Sequence, residues 1–255
     1  NTSATVSEPA LAPNTTYYLF ARTNGSGASS SWSTYPGTST LANAPVFKDF
    51  TDVTVSTIQF NWTANSNPAG TLYRVKSSTA PDPLSPAGAV VTSSDTYNLY
   101  LSSAGLNANT TYYFRVAAVN HNNIITAYTA SQGTSTLANA PVFTDFTNVT
   151  AAAIQFNWSA NGNRAGTLYR VKASTAPDPL SPAGAVVSSS DTYNLYLSSA
   201  GLNANTTYYF RVAGVNNNSV ITDYTTAQGT STLANAPVFT DFTNVTAAAI
   251  QFNWS

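Results

Sequence analysis

His121 is the only histidine in the 255-residue chain, and Glu8 is the only glutamate. General acid–base work and metal binding both need such groups gathered in sets. The residue 96 positions after His121 is Asn217, so a role for the imidazole does not recur with the repeat described below. Asp49, Asp82 and Asp95 do recur, as Asp145, Asp178 and Asp191. Paired carboxylates can flank a glycosidic bond. Asp82 and Asp178, however, stand in Pro-Asp-Pro, a turn context, and Asp95 and Asp191 in Ser-Ser-Asp just ahead of an expected strand, so turn and cap duties are expected of them. Cysteine is absent, which removes disulfides, zinc–thiolate sites and thiol nucleophiles. There is no calcium loop, glycine-rich phosphate loop or nucleophile elbow, and no base recurs beside the many serines and threonines. The chain reads as a non-enzyme with no catalytic residue, no metal ligand and no cofactor.

Two patterns survive this search. Arg74, Lys76, Tyr113 and Arg115 share one strand parity and point outward together. Arg170, Lys172, Tyr209 and Arg211 repeat them. A basic, aromatic face can stack on sugars or meet a neighbouring chain. The favoured reading is plainer: a solvated sheet face whose charges discourage edge pairing. An earlier, looser copy carries Phe20 where Arg115 would stand, which weakens a shared site. The second pattern is Asn-Thr-Thr at Asn14, Asn109 and Asn205, each on an expected turn. These are candidate glycosylation positions, and the turns are expected to make them accessible.

Composition narrows the class. Net charge is −1 and 7% of residues are charged, far from the clustered Lys and Arg that phosphate binding requires, so nucleic acid is excluded as a partner. No apolar run approaches the ~20 residues of a helical membrane span. With 43% hydrophobic and 12% aromatic residues the chain can fill packed cores. Methionine is absent as well as cysteine, which suits long exposure outside a cell.

The elements that must position these residues are repeated. Thr38–Phe47 recurs at Thr134–Phe143 and Thr230–Phe239, a spacing of 96 residues. The expected organisation is a C-terminal part of a unit at 1–44, complete units at 45–140 and 141–236, and an N-terminal part at 237–255. A unit near 100 residues is domain-sized, so the chain is a string of domains rather than a short-period solenoid. Thr57–Ala64 alternates Ile58, Phe60 and Trp62 against polar residues, and Thr71–Ser78, Thr96–Ser102 and Thr111–Val119 are further strand candidates. Trp62 and Trp158 fall in phase with the buried positions. Thr79–Gly88 holds three prolines and is expected to be a loop. About seven short strands per unit suggest a sandwich of two antiparallel sheets.

Trp62, Tyr73 and Val75, followed by Leu106, Thr110, Tyr112, Val116, Ala118, Val119 and Asn120, resemble the pattern of a fibronectin type III domain. Trp158, Tyr169, Val171, Leu202, Thr206, Tyr208 and Val212 repeat it, with Gly214 in place of the alanine. The resemblance implies an all-β chain of tandem immunoglobulin-like sandwiches. It also implies that Tyr17, Tyr112 and Tyr208 are tyrosine corners, whose hydroxyls bond backbone a few residues upstream. The expected function is a structural extracellular or cell-surface rod or filament, whose partners are neighbouring repeats or identical chains. The 255 residues are read as a window on a longer repetitive chain. The alternatives are an adhesin or glycan-binding module, or the spacer of a secreted polysaccharide-degrading enzyme.

Overall fold

Alternation of apolar and polar residues along short segments leaves one face of each strand to be hidden, and two such faces closed on one another make each repeat. The computed structural model describes residues 10–84, 90–180 and 186–255. The Thr79–Gly88 loop expectation lies partly outside these. The chain divides at Leu137/Ala138 into two compact units.

In the first unit, β1 (Thr16–Tyr17) pairs with β2 (Thr38–Ser39). A seven-strand body follows: β3 (Val46–Thr51), β4 (Thr57–Thr63), β5 (Leu72–Ser78), β6 (Val90–Thr96), β7 (Tyr100–Ala104), β8 (Thr111–Val119) and β9 (Gln132–Ser135). One sheet runs β3-β4-β7 and the other β6-β5-β8-β9, all antiparallel. The second unit repeats this with β10 (Val142–Thr147), β11 (Ala153–Ser159), β12 (Leu168–Ser174), β13 (Val186–Thr192), β14 (Tyr196–Ala200), β15 (Thr207–Val215) and β16 (Gln228–Ser231), in sheets β10-β11-β14 and β13-β12-β15-β16. It ends in the pair β17 (Phe239–Thr243) and β18 (Gln251–Trp254).

Ile58, Phe60 and Trp62 from β4 meet Tyr73 and Val75 from β5 and Tyr112, Phe114, Val116 and Ala118 from β8 in one buried cluster. Phe60 stacks on Phe114 across the two sheets, centroids 5.3 Å apart, and Trp62 meets Tyr73 edge-on at 5.6 Å. Phe156–Phe210 and Trp158–Tyr169 repeat both contacts in the second unit. Each buried large side chain contributes roughly 1.5–3 kcal/mol over its exposed state. A bulge between Phe47 and Asp49 shifts the register of β3. It lets Phe47 and Phe50, three residues apart, both reach Phe60.

One expectation changes. The strand expected over Thr96–Ser102 is split: Thr96 closes β6, residues 97–99 bend, and β7 starts at Tyr100. Among the described residues of the partial unit at 1–44, β1 and β2 are two residues each. Polar bonds hold the segment just ahead of β10. Asn139 N–H donates to Asn163 Oδ1 at 2.7 Å, and Asn163 Nδ2 returns a bond to Asn139 O at 2.7 Å. Asn139 Nδ2 donates to Asn161 O, and Asn161 Nδ2 to Ala140 O. The connecting segment is therefore clasped to the repeat that follows it. Asn43, Asn65 and Asn67 form the same clasp in the first unit.

At the start of β8, Tyr112 Oη accepts the Asn107 N–H at 2.9 Å; Tyr208 accepts from Asn203 at 2.9 Å and Tyr17 from Ala12 at 2.8 Å. Thr136 joins the same turn, donating to Asn107 O at 2.7 Å and accepting from Thr110 N–H at 3.0 Å. Replacing Tyr208 with Phe leaves the Asn203 N–H without its partner. The expected loss is at the lower end of about 1–3 kcal/mol, because this turn is only partly buried. Urea denaturation of the full chain checks it, and an unchanged second-unit midpoint would contradict it.

Candidate functional site

The outward face of the four-stranded sheet carries the residues singled out as a binding face. Antiparallel register sets Lys76 directly opposite Arg115 and Arg74 opposite Asp95. Two like charges side by side would destabilise the pair. The sheet answers with carboxylates. Arg74 donates Nε–H to Asp95 Oδ1 and Nη2–H to Asp95 Oδ2, both at 2.7 Å, a bidentate pair. Arg115 Nε lies 3.0 Å from Asp82 Oδ1, an ion pair whose angle falls short of a hydrogen bond. Arg170–Asp191 and Arg211–Asp178 repeat both distances.

Most of the positive charge on this face is therefore met from within the same repeat. The structure corrects Asp95, which lies inside β6 rather than ahead of a strand. Asp82 does serve its turn, accepting the Leu84 N–H at 3.0 Å, while also facing Arg115. Asp49 accepts from Asn61 Nδ2 at 2.8 Å across the β3–β4 pair.

Tyr113 is on this face, but its ring is not free-standing. It lies across Gly133, its partner in the β8–β9 register, where an added Cβ would come within 2.7 Å of the ring. Tyr209 covers Gly229 and Tyr18 covers Gly37 in the same way. The glycines are required because an aromatic ring occupies the space of a side chain. Tyr128 and Tyr224, which sequence reasoning passed over, stand close to the Arg74–Asp95 and Arg170–Asp191 pairs. Burial pushes both phenols up.

The Asn-Thr-Thr turns divide unexpectedly. Asn14 is fully buried at 0% exposure and Asn109 is 3% exposed, whereas Asn205 is exposed. The expectation of accessible turns is corrected at the first two positions. Asn14 Nδ2, the atom a glycan would occupy, donates to Thr71 Oγ1 at 2.9 Å. Among the described residues, no three His, Cys, Asp or Glu side chains gather as a metal site would need, and no helix is long and apolar enough to cross a membrane.

Hydrogen bonding from Arg74 holds the Asp95 carboxyl below the usual carboxylate range, and Arg170 does so for Asp191. A depressed folded-state value contributes stability that is present above the unfolded value of about 3.9 and is lost as pH falls through the folded one. Both pairs are more than a third exposed on the acidic side, so solvent screens the effect. Burial pushes the Tyr73 and Tyr169 phenols up, so their contribution is present below about pH 10 and lost above it. Stability should therefore be flat through neutral pH, with a shallow acid limb below about pH 4. Urea midpoints measured across that range check this. Asp95→Asn with Asp191→Asn should flatten the acid limb, and a limb of unchanged slope would contradict the assignment.

The model of the fibronectin type III domain matches residues 43–130 and 139–226. No curated protein sequence matches the chain at a significant level. Among solved structures, the two fibronectin type III domain segment of chicken tenascin is 18% identical, covers 74% of this chain and all of its own, and has a TM-score of 0.50. The FN1–FN3 segment of chicken CNTN1 is 14% identical over 87% of this chain and 77% of its own, with a TM-score of 0.33. The tenascin likeness concerns the fold alone, and in this chain that fold is β3-β4-β7 over β6-β5-β8-β9, closed on Trp62. The family model spans more than half of the residues, and the chain belongs to the fibronectin type III family as a tandem array of its domains.

Proposed function

We propose that the array is a structural element of an extracellular or cell-surface rod or filament, non-catalytic, with its own repeats or identical chains as partners. The observation that carries this reading is the asparagine clasp. A connection of Gly and Ser would leave consecutive domains to tumble. Here Asn43 is held at both its backbone and its side chain by Asn65 and Asn67, through bonds of 2.7–2.9 Å. Asn139 is held likewise by Asn161 and Asn163. Such a segment enters the repeat that follows as part of it and not as a loose tether. Near-identity of the repeats supports the same reading, because identical neighbours risk mispairing as they fold and a constant geometry is a reason to keep them alike. Fibronectin type III domains are typical of extracellular and cell-surface proteins.

A second reading, a glycan-binding adhesion module, is favoured by one observation. Tyr97, Leu99 and Tyr100 are exposed together, and Tyr193, Leu195 and Tyr196 repeat them at the same exposure. Flat exposed phenols offer sugars a surface to stack on. A glycan array probed with the full chain separates the two. The structural reading expects no saturable binding. Binding lost on Tyr97→Ala with Tyr193→Ala would overturn it in favour of the adhesion module.

A further inference from the structure

The Asn14 side chain is spent entirely outside its own repeat. Its backbone N–H stays at home, donating to Leu41 O at 3.0 Å. Its Nδ2 crosses to Thr71 Oγ1 at 2.9 Å, and its Oδ1 accepts the His121 N–H at 3.0 Å. Both partners belong to the body that begins at β3. Around this pair, Asn120 Nδ2 donates to Thr40 O at 3.1 Å and Asn122 Nδ2 to Thr38 Oγ1 at 3.0 Å. Thr16 Oγ1 lies 3.3 Å from His121 Nδ1. Thr71 is 1% exposed and Asn120 3%, so the joint is dry where Asn14 enters it.

Asparagine suits the position for two reasons. The backbone there is left-handed, φ +45°, which Asn tolerates better than most side chains. The amide donates from Nδ2 and accepts at Oδ1, and the joint offers an acceptor and a donor in return. A buried amide with either end unmatched would be costly.

We propose that the Asn14-Thr15-Thr16 corner is a docking key. Its partner surface is the end of the following repeat, formed by Thr71 and the Asn120–Asn122 turn. An N-linked sugar on Asn14 and the docked joint exclude each other, because the sugar would stand on a fully buried nitrogen packed against Thr71, where it has no room. The proposal holds whether the array serves as a rod, an adhesion module or a spacer. Asn14 engages the backbone N–H of His121, which other residues at that position also supply. The triplet recurs at Asn109-Thr110-Thr111 and Asn205-Thr206-Thr207.

The test uses the full chain, which has no native cysteine to interfere. Nitroxide labels go on Thr34→Cys and Asn98→Cys, both exposed positions on either side of the joint. Asn14→Gly keeps the left-handed backbone accessible and deletes only the key. The label–label distance distribution should widen about twofold or more, and the His121 amide should exchange about tenfold faster or more, while the Val116 amide stays protected. His121→Asn should leave the distribution narrow. A chain carrying one N-acetylglucosamine on Asn14, made by semisynthesis, should match the wide distribution of Asn14→Gly. An Asn14→Gly chain with unchanged width and unchanged His121 exchange would overturn the key, and so would a narrow distribution in the glycosylated chain.

Discussion

Everything else in each repeat hangs on one contact between sheets, the stacking of Phe60 on Phe114 and its twin Phe156 on Phe210. No disulfide ties the two sheets of this chain together, because it has no cysteine. The sheets must be held by what lies between them. Phe47, Phe50, Phe60, Phe114, Trp62 and Tyr73 form a continuous run of ring contacts from one end of the interior to the other, each 5.2–5.7 Å apart. Tilted and stacked rings at these separations add to the area they hide. The β3 bulge exists in service of that run, since a regular strand would send Phe47 and Phe50 to opposite faces.

Asparagine does at the ends of the repeat what aromatic rings do inside it. Charged side chains are scarce, and the arginines of the sheet face are met by carboxylates, Arg74 by Asp95 across two strands and Arg115 by Asp82 from a turn. The polar bonds that decide connectivity come instead from amides: Asn65 and Asn67 on the linker, Asn14 and Asn120 at the joint. An amide offers donor and acceptor together without the desolvation cost of a charge. Neutral bonds are also insensitive to salt, unlike exposed ion pairs. A chain exposed to changing surroundings keeps its geometry with such bonds.

Period-two alternation was enough to read the strands around Phe60, Val75 and Phe114 and the burial of Trp62, because those segments face a core on one side only. The domain-length repeat was legible as plain sequence identity. The bulge at Phe47 was not, since it changes parity without any glycine or proline to mark it. Asp95 was misread because its partner Arg74 lies 21 positions earlier, and pairing across strands depends on register rather than on neighbours in sequence. The accessible turn at Asn14 was misread for a similar reason. A turn is exposed in an isolated domain, and only the fold brings Thr71 and His121 against it. Gly133 gave no signal beyond its identity, and its meaning appears only with Tyr113 laid over it.

The central claim is that the connection before each complete repeat is a structural part of that repeat and not a tether. Backbone amide relaxation of the full chain tests it most directly, read at Asn43 and Asn139. The account predicts order parameters there of about 0.85, equal to those of the strands β4 and β11. Values below about 0.6 would mark a flexible tether and contradict the account.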